Sequence, residues 1–133
     1  MKDVSIYVRG ICNSELTERP GRYIVILRYK SIKKVFRGAV LKTTSNRMII
    51  TGLIEGIGAL KESCNIRAYI QCNIGVGKVL KGKISGINRD ILKALDEVIK
   101  KGNHEIEFIV SPEKQKELDT LIKQEAEQRD GEK

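Results

Sequence analysis

The chain has no tryptophan and, in 133 residues, only two phenylalanines and four tyrosines. A surface that splays and stacks unpaired bases needs a row of aromatic rings, so the composition argues against that mode of recognition. Cysteine is sparse too. Cys12, Cys64 and Cys72 are odd in number and show no CxxC spacing, which excludes a disulfide framework and a cysteine metal site. The single histidine, His104, cannot anchor a histidine ligand cluster and is expected to be an exposed or hydrogen-bonded residue at the start of a strand. No apolar run approaches the ~20 residues of a membrane helix, and the N-terminus alternates charged with apolar residues where a signal peptide would be continuous. The expectation is a soluble protein of a reducing compartment, the cytoplasm, with no membrane partner. Glycine-rich phosphate loops are also missing, since neither GxGxxG nor the Walker pattern occurs.

Acid is absent from one long stretch. Residues 19 to 47 contain Arg19, Arg22, Arg28, Lys30, Lys33, Lys34, Arg37, Lys42 and Arg47 and no Asp or Glu, within a chain of net charge +8. The last thirty residues are net acidic by contrast. A basic stripe of that density attracts phosphates through counterion release. The plainer account is that lysines and arginines solvate the outer face of a sheet and blunt its edge strand.

The length suits one domain with a substantial core, expected over residues 1–124, with a polar tail at 125–133 too poor in apolar residues to stay ordered. Val4, Ile6 and Val8 alternate with polar neighbours, and runs at Arg22 to Lys30 and Lys33 to Leu41 follow across a short turn. The pattern predicts an antiparallel three-strand meander. Thr44 or Ser45 then caps a helix reaching about Glu62, and a strand from Asn65 to Gln71 must return parallel to the first because a helix intervenes. A helix from Arg89 to Lys101, with Asn88 as cap and Gly102 as stop, leads to a strand from Glu105 to Val110. Ser111-Pro112 opens a last helix. The fold class is α/β, a three-layer arrangement with a five-stranded mixed sheet flanked by helices. Gly52 and Gly56 share one face of the first helix, where their cost is understandable if another helix packs very close.

Several segments resemble the ribonuclease H family. Thr43-Thr44-Ser45-Asn46-Arg47-Met48 resembles the loop that opens its catalytic helix, Ser5-Ile6-Tyr7-Val8-Arg9-Gly10 its first strand, Ala59-Leu60-Lys61-Glu62-Ser63-Cys64 the end of its long helix, and Asn88-Arg89-Asp90-Ile91-Leu92 the start of a later one. Two-metal phosphodiester hydrolysis requires carboxylates converging on ions about 4 Å apart. In this chain the family's first Asp falls on Arg9, its helix Glu on Ile49 and its third carboxylate on Ile70, while the fourth has a counterpart in Asp119. The His loop that aids product release is replaced by Phe108-Ile109-Val110 running into Ser111-Pro112. Glu55 offers no substitute, because six residues beyond Ile49 it lies about 240° around the helix. The resemblance therefore implies a domain without a metal site or cofactor. The basic protruding handle of bacterial members is missing, and between Cys72 and Ile87 stand only Lys78, Lys81 and Lys83, read equally well as phosphate contacts or as a solvated connector. Cys12 and Cys64 fall where family members carry Cys and are expected to be buried packing residues.

By motif position, Thr44 and Asn88 match family residues that grip a phosphate of the DNA strand, and Asn46 one that touches the minor groove of the hybrid. All three are equally helix-capping residue types. A guanidinium at Arg9 would stand where cations met the scissile phosphate, or else pair with Asp119 and close the site. The expected function is a non-catalytic ribonuclease H-like domain that binds an RNA/DNA hybrid or other duplex through Arg9, Thr44, Asn46, Asn88, Arg28, Lys30, Lys33 and Lys34. Two alternatives remain. One is a scaffold domain whose protein partner sits on an apolar patch made by Ile49 and Ile70. The other is an active, metal-dependent ribonuclease H.

Overall fold

The computed structural model describes residues 1–12, 20–41 and 43–131. Strand β1 (Lys2–Ile11) pairs antiparallel with β2 (Gly21–Tyr29), and β2 pairs antiparallel with β3 (Ile32–Val40) through a tight turn at Lys30 and Ser31. Lys30 takes the left-handed backbone, φ 54°, which a two-residue hairpin needs. Helix α1 (Ser45–Gly58) then crosses over the sheet, and β4 (Cys64–Ile70) lies parallel to β1. A short helix α2 (Val76–Leu80) leads to α3 (Arg89–Lys101), and β5 (Glu105–Val110) joins β4 in parallel. The five strands run in the order β3-β2-β1-β4-β5, the mixed sheet that the alternation predicts. Helix α4 (Pro112–Gly131) follows.

Alternation sorts the strand side chains between two faces. Val4, Ile6, Val8, Val25, Ile66, Ala68 and Ile70 face α1 and α3, meeting Ile49, Ile50, Leu53, Ile57, Leu92 and Leu95 in one large core. Tyr7, Ile26 and Tyr69 face the other way, onto Leu118 and Leu121 of α4.

Three local expectations change. Helix α1 stops at Gly58, short of Glu62, where the Ala59 amide donates back to Glu55 and Gly56 at 3.2 and 3.3 Å. Gly52 and Gly56 pack against the sheet and not against another helix. A Cβ on Gly52 would lie 2.8 Å from Val8 Cγ1, and one on Gly56 would lie 2.9 Å from Val25 Cγ1. Finally, α4 continues to Gly131 through the stretch where polar composition predicts a tail from Glu125. Glu125 is tied there by the Arg37 guanidinium at 3.2 and 2.5 Å.

Candidate functional site

The end of β1 abuts the first turn of α1. A Cβ on Gly10 would come within 2.7 Å of the Ile49 amide and the Ser45 carbonyl, so only glycine lets the two backbones approach this closely. Ile49 and Ile70, 1% and 0% exposed, are sealed in the large core. The apolar patch expected from them is therefore no docking surface, because both side chains are consumed by packing against Val8, Leu53 and their neighbours.

Arg9 alternates with Val8 and Gly10 and so emerges on the α4 face of the sheet. It does not converge with the two isoleucines. Its Nη2 donates to the Gln115 carbonyl at 3.0 Å and to Gln115 Oε1 at 3.1 Å, and its Nη1 to Asp119 Oδ1. Asp119 is exposed and lies on the same helix face as Gln115. Of the two fates open to Arg9, holding a phosphate or closing on Asp119, the geometry has the second, with Gln115 as an additional partner. A guanidinium, two buried isoleucines and a single carboxylate cannot supply the oxygen ligands that magnesium requires. Among the described residues no three His, Cys, Asp or Glu side chains are grouped to hold a metal ion.

The N-termini of α1 and α3 meet nearby. Thr44 caps α1, its hydroxyl accepting from the Arg47 amide at 3.2 Å. Asn88 precedes α3 but does not cap it with its side chain. With φ 68° the residue turns left-handed, and its Oδ1 accepts from Arg47 Nη1 at 3.2 Å instead. The same guanidinium donates twice to Asp90, at 3.0 and 2.9 Å. These hydrogen bonds, first among the causes, draw the Asp90 carboxyl from its ordinary 3.8 to about 2. Thr44 and Asn88 are thus brought together, but by Arg47, which fills the space between them. Asn46 is exposed, with Cys72 Sγ 3.9 Å from its Oδ1.

The basic stripe divides in two. Arg28 donates to Glu117 at 2.8 Å, and Glu117 also accepts from the Tyr7 hydroxyl at 2.8 Å and from Lys114 at 2.9 Å. The bond from Lys114, ahead of that from Tyr7, holds the Glu117 carboxyl below its usual range, and burial before anything else pushes the Tyr7 hydroxyl up. Arg37 is held by Glu125. The acid-rich C-terminus therefore neutralises two arginines of the stripe, Arg28 and Arg37. Its lysines remain: Lys33 and Lys34 are exposed and form no ion pair among the described residues, and Lys30 lies 5.3 Å from the Tyr29 ring centre. Arg22 is exposed, as are Lys78, Lys81 and Lys83. Arg19 and Lys42 lie outside the described residues. His104 is satisfied, its Nδ1 accepting from the Cys64 amide at 3.0 Å. Cys64 is buried, whereas Cys12 is half-buried and donates to the Thr43 carbonyl at 3.1 Å.

Gln115 and Glu117 had no place in the sequence reading, although the four-residue spacing of Gln115 and Asp119 on one helix face is a signal that could have found the first. A cleft of about 350 Å³ lined by Val4, Leu27, Ile32 and Leu60 lies at the opposite end of the sheet. Among the described residues, no helix is long and apolar enough to cross a membrane.

No protein-family model matches the chain. It is 31% identical over 121 residues to the ribonuclease H of Paracidovorax citrulli, a match covering 81% of this chain and 80% of that protein. A shorter segment of 69 residues is 46% identical to the ribonuclease H of Caldicellulosiruptor saccharolyticus. It covers 52% of this chain and 46% of that relative, so the similarity spans only about half of the latter's length. Among solved structures, LC11-RNase H1 in complex with an RNA/DNA hybrid is similar in fold, with a TM-score of 0.65 at 12% identity, covering 84% of this chain and 87% of that one.

Proposed function

Because the chain belongs to the ribonuclease H family, as 31% identity across four fifths of its length requires, we propose that it binds nucleic acid, an RNA/DNA hybrid or other duplex, without cleaving it. The observation that carries the reading is the fate of the three lost carboxylate positions. Arg9 is clasped by Gln115 and Asp119 on one face of the sheet, while Ile49 and Ile70 are closed into the core on the other. Metal-dependent hydrolysis needs oxygen donors converging at one point. Binding needs only phosphate-facing cations, and Lys30, Lys33 and Lys34 supply them at the β2–β3 hairpin. The solved relative that holds an RNA/DNA hybrid supports that class of ligand. Arg28 belongs to the same surface but is shared with Glu117, so the lysines carry most of the affinity.

Incubation of purified protein with a labelled hybrid, in magnesium and in manganese, tests both halves. The expected result is no cleavage, together with binding that weakens steeply with salt. Three phosphate contacts predict roughly a fortyfold loss between 50 and 200 mM. Reversing Lys30, Lys33 and Lys34 to Glu should abolish most of the binding to every duplex sequence alike. The name carried by the relatives favours a second reading, an active ribonuclease H. Cleavage that copurifies with the chain and disappears in an Asp119→Asn variant would establish it in place of the first.

A further inference from the structure

The open sheet ends in two strands, β3 and β5, whose outer edges meet no other strand among the described residues. Their charges are opposite. Strand β3 presents Lys33 and Lys34, and β5 presents Glu105 and Glu107, all exposed and none in an ion pair with another described residue. Each edge also leaves apolar side chains open, Ile32 at 57% and Val110 at 51% exposure. Strands β5, β4 and β1 are parallel, and two antiparallel steps separate β1 from β3, so the two edges point the same way. A second copy placed beside the first by a shift across the strands therefore lays its β3 parallel along the first copy's β5, with the α4 faces on the same side.

One register satisfies charge and hydrophobicity most fully. It sets Ile106 opposite Ile32, Glu107 opposite Lys33, Ile109 opposite Val35 and Val110 opposite Phe36. The faces agree, since Ile106 and Phe36 both pack on the large core side and Ile109 and Val35 both on the α4 side. Phe108 falls opposite Lys34, whose ammonium it can accept over its ring. Sliding by two residues pairs Glu105 with Lys33 and Phe108 with Phe36, but it sets Ile106 against Lys34, Glu107 against Val35 and Ile109 against Arg37, so fewer apolar side chains meet. Pairing like edges fares worse, because β3 on β3 crowds lysines and β5 on β5 crowds glutamates. Edge lysines ordinarily guard a strand against indiscriminate pairing, and here they select an acidic strand. We infer that a second copy of this chain is the partner of these edges, joined head to tail by β5 of one copy on β3 of the next through Glu107 and Lys33. Such a contact is heterologous, so it leaves one free edge at each end and growth continues beyond two copies.

Sedimentation and light scattering of the full chain, freed of nucleic acid, test this from micromolar to near-millimolar concentration. The weight-average mass should rise with concentration to twice that of one copy or more. Lys33→Glu and Glu107→Lys, both surface changes, should each weaken association about tenfold while leaving the circular dichroism spectrum intact. Mixing the two variants should restore association, because each then meets an opposite charge, and so should the double variant. A mass of one copy throughout would overturn the inference. So would association indifferent to Glu107→Lys, which would point to β3 pairing with itself or to another surface, or a mixture that stays dissociated.

Discussion

The two faces of one sheet are held by different physics. On the α1 and α3 side, buried side chains from three strands and three helices interlock without a charge among them, and α1 lies so near the sheet that Gly52 and Gly56 cannot carry a methyl group in place. On the α4 side, five buried residues make a small apolar patch, and Arg9, Arg28 and Arg37 bind the helix through Asp119, Glu117 and Glu125. A close-packed face resists any change of volume. A face of half-exposed ion pairs tolerates substitution and yields to salt. Of the positions that match family carboxylates, Ile49 and Ile70 lie on the first face and Arg9 on the second, so their side chains do not converge.

That contrast can be broken most severely at Ile70. Ile70→Asp, which recreates a family carboxylate, places a charge where nothing pairs with it and should cost about 3–5 kcal/mol in urea unfolding. A loss below about 1 kcal/mol would mean that the site opens to water. Gly52→Ala tests the close approach itself. Alanine gains about 1 kcal/mol of helix propensity, but the new methyl meets Val8 and Val25 at 2.8 and 3.1 Å, short branched side chains that cannot swing aside. Overpacking costs about 1–3 kcal/mol, so the net effect should be destabilising by about 1 kcal/mol, and a stabilised variant would show that the helix can retreat.

On the α4 side, Glu117→Gln removes the charge shared by Arg28, Lys114 and Tyr7, yet the carboxylate is about one third exposed. The loss should be about 1 kcal/mol or less at low salt and shrink further at 1 M salt. A salt-independent loss would assign Glu117 to packing. The smallest effect belongs to His104. Burial holds its pKa below the ordinary 6.5, and its Nδ1 accepts a hydrogen bond only while unprotonated. The unfolded chain therefore takes up the proton more readily than the folded one, and stability should fall as pH drops below 6.5. His104→Gln should flatten the dependence in that window, and an unchanged slope would place its origin elsewhere.

Much of the fold was readable in the chain. Alternation in β1, β2 and β3 marked the meander, and the apolar stripe of α3 between Asn88 and Gly102 located that helix at Arg89–Lys101. The extent of α4 was not readable from local composition, and its Glu125 pairs with Arg37, 88 positions away in the chain. The orientation of Gly52 and Gly56 was visible but not their neighbour, since a small-residue face serves a helix or a sheet equally well. At the candidate site, Thr44 and Asn88 were found by motif, whereas Arg47, read within the same loop motif and as part of a charge run, was not seen as the partner of Asn88 and Asp90.

Sequence periodicity and the family resemblance thus determined which segments become strands and helices and that the positions matching three catalytic carboxylates hold none. Both depend on residue types and spacings along the chain, which local geometry converts directly into structure. Only the tertiary structure decided what Arg9 does. A guanidinium takes whichever acceptors the fold brings to it, and Gln115 and Asp119, 106 and 110 residues away, are set beside it by the docking of α4 on the sheet.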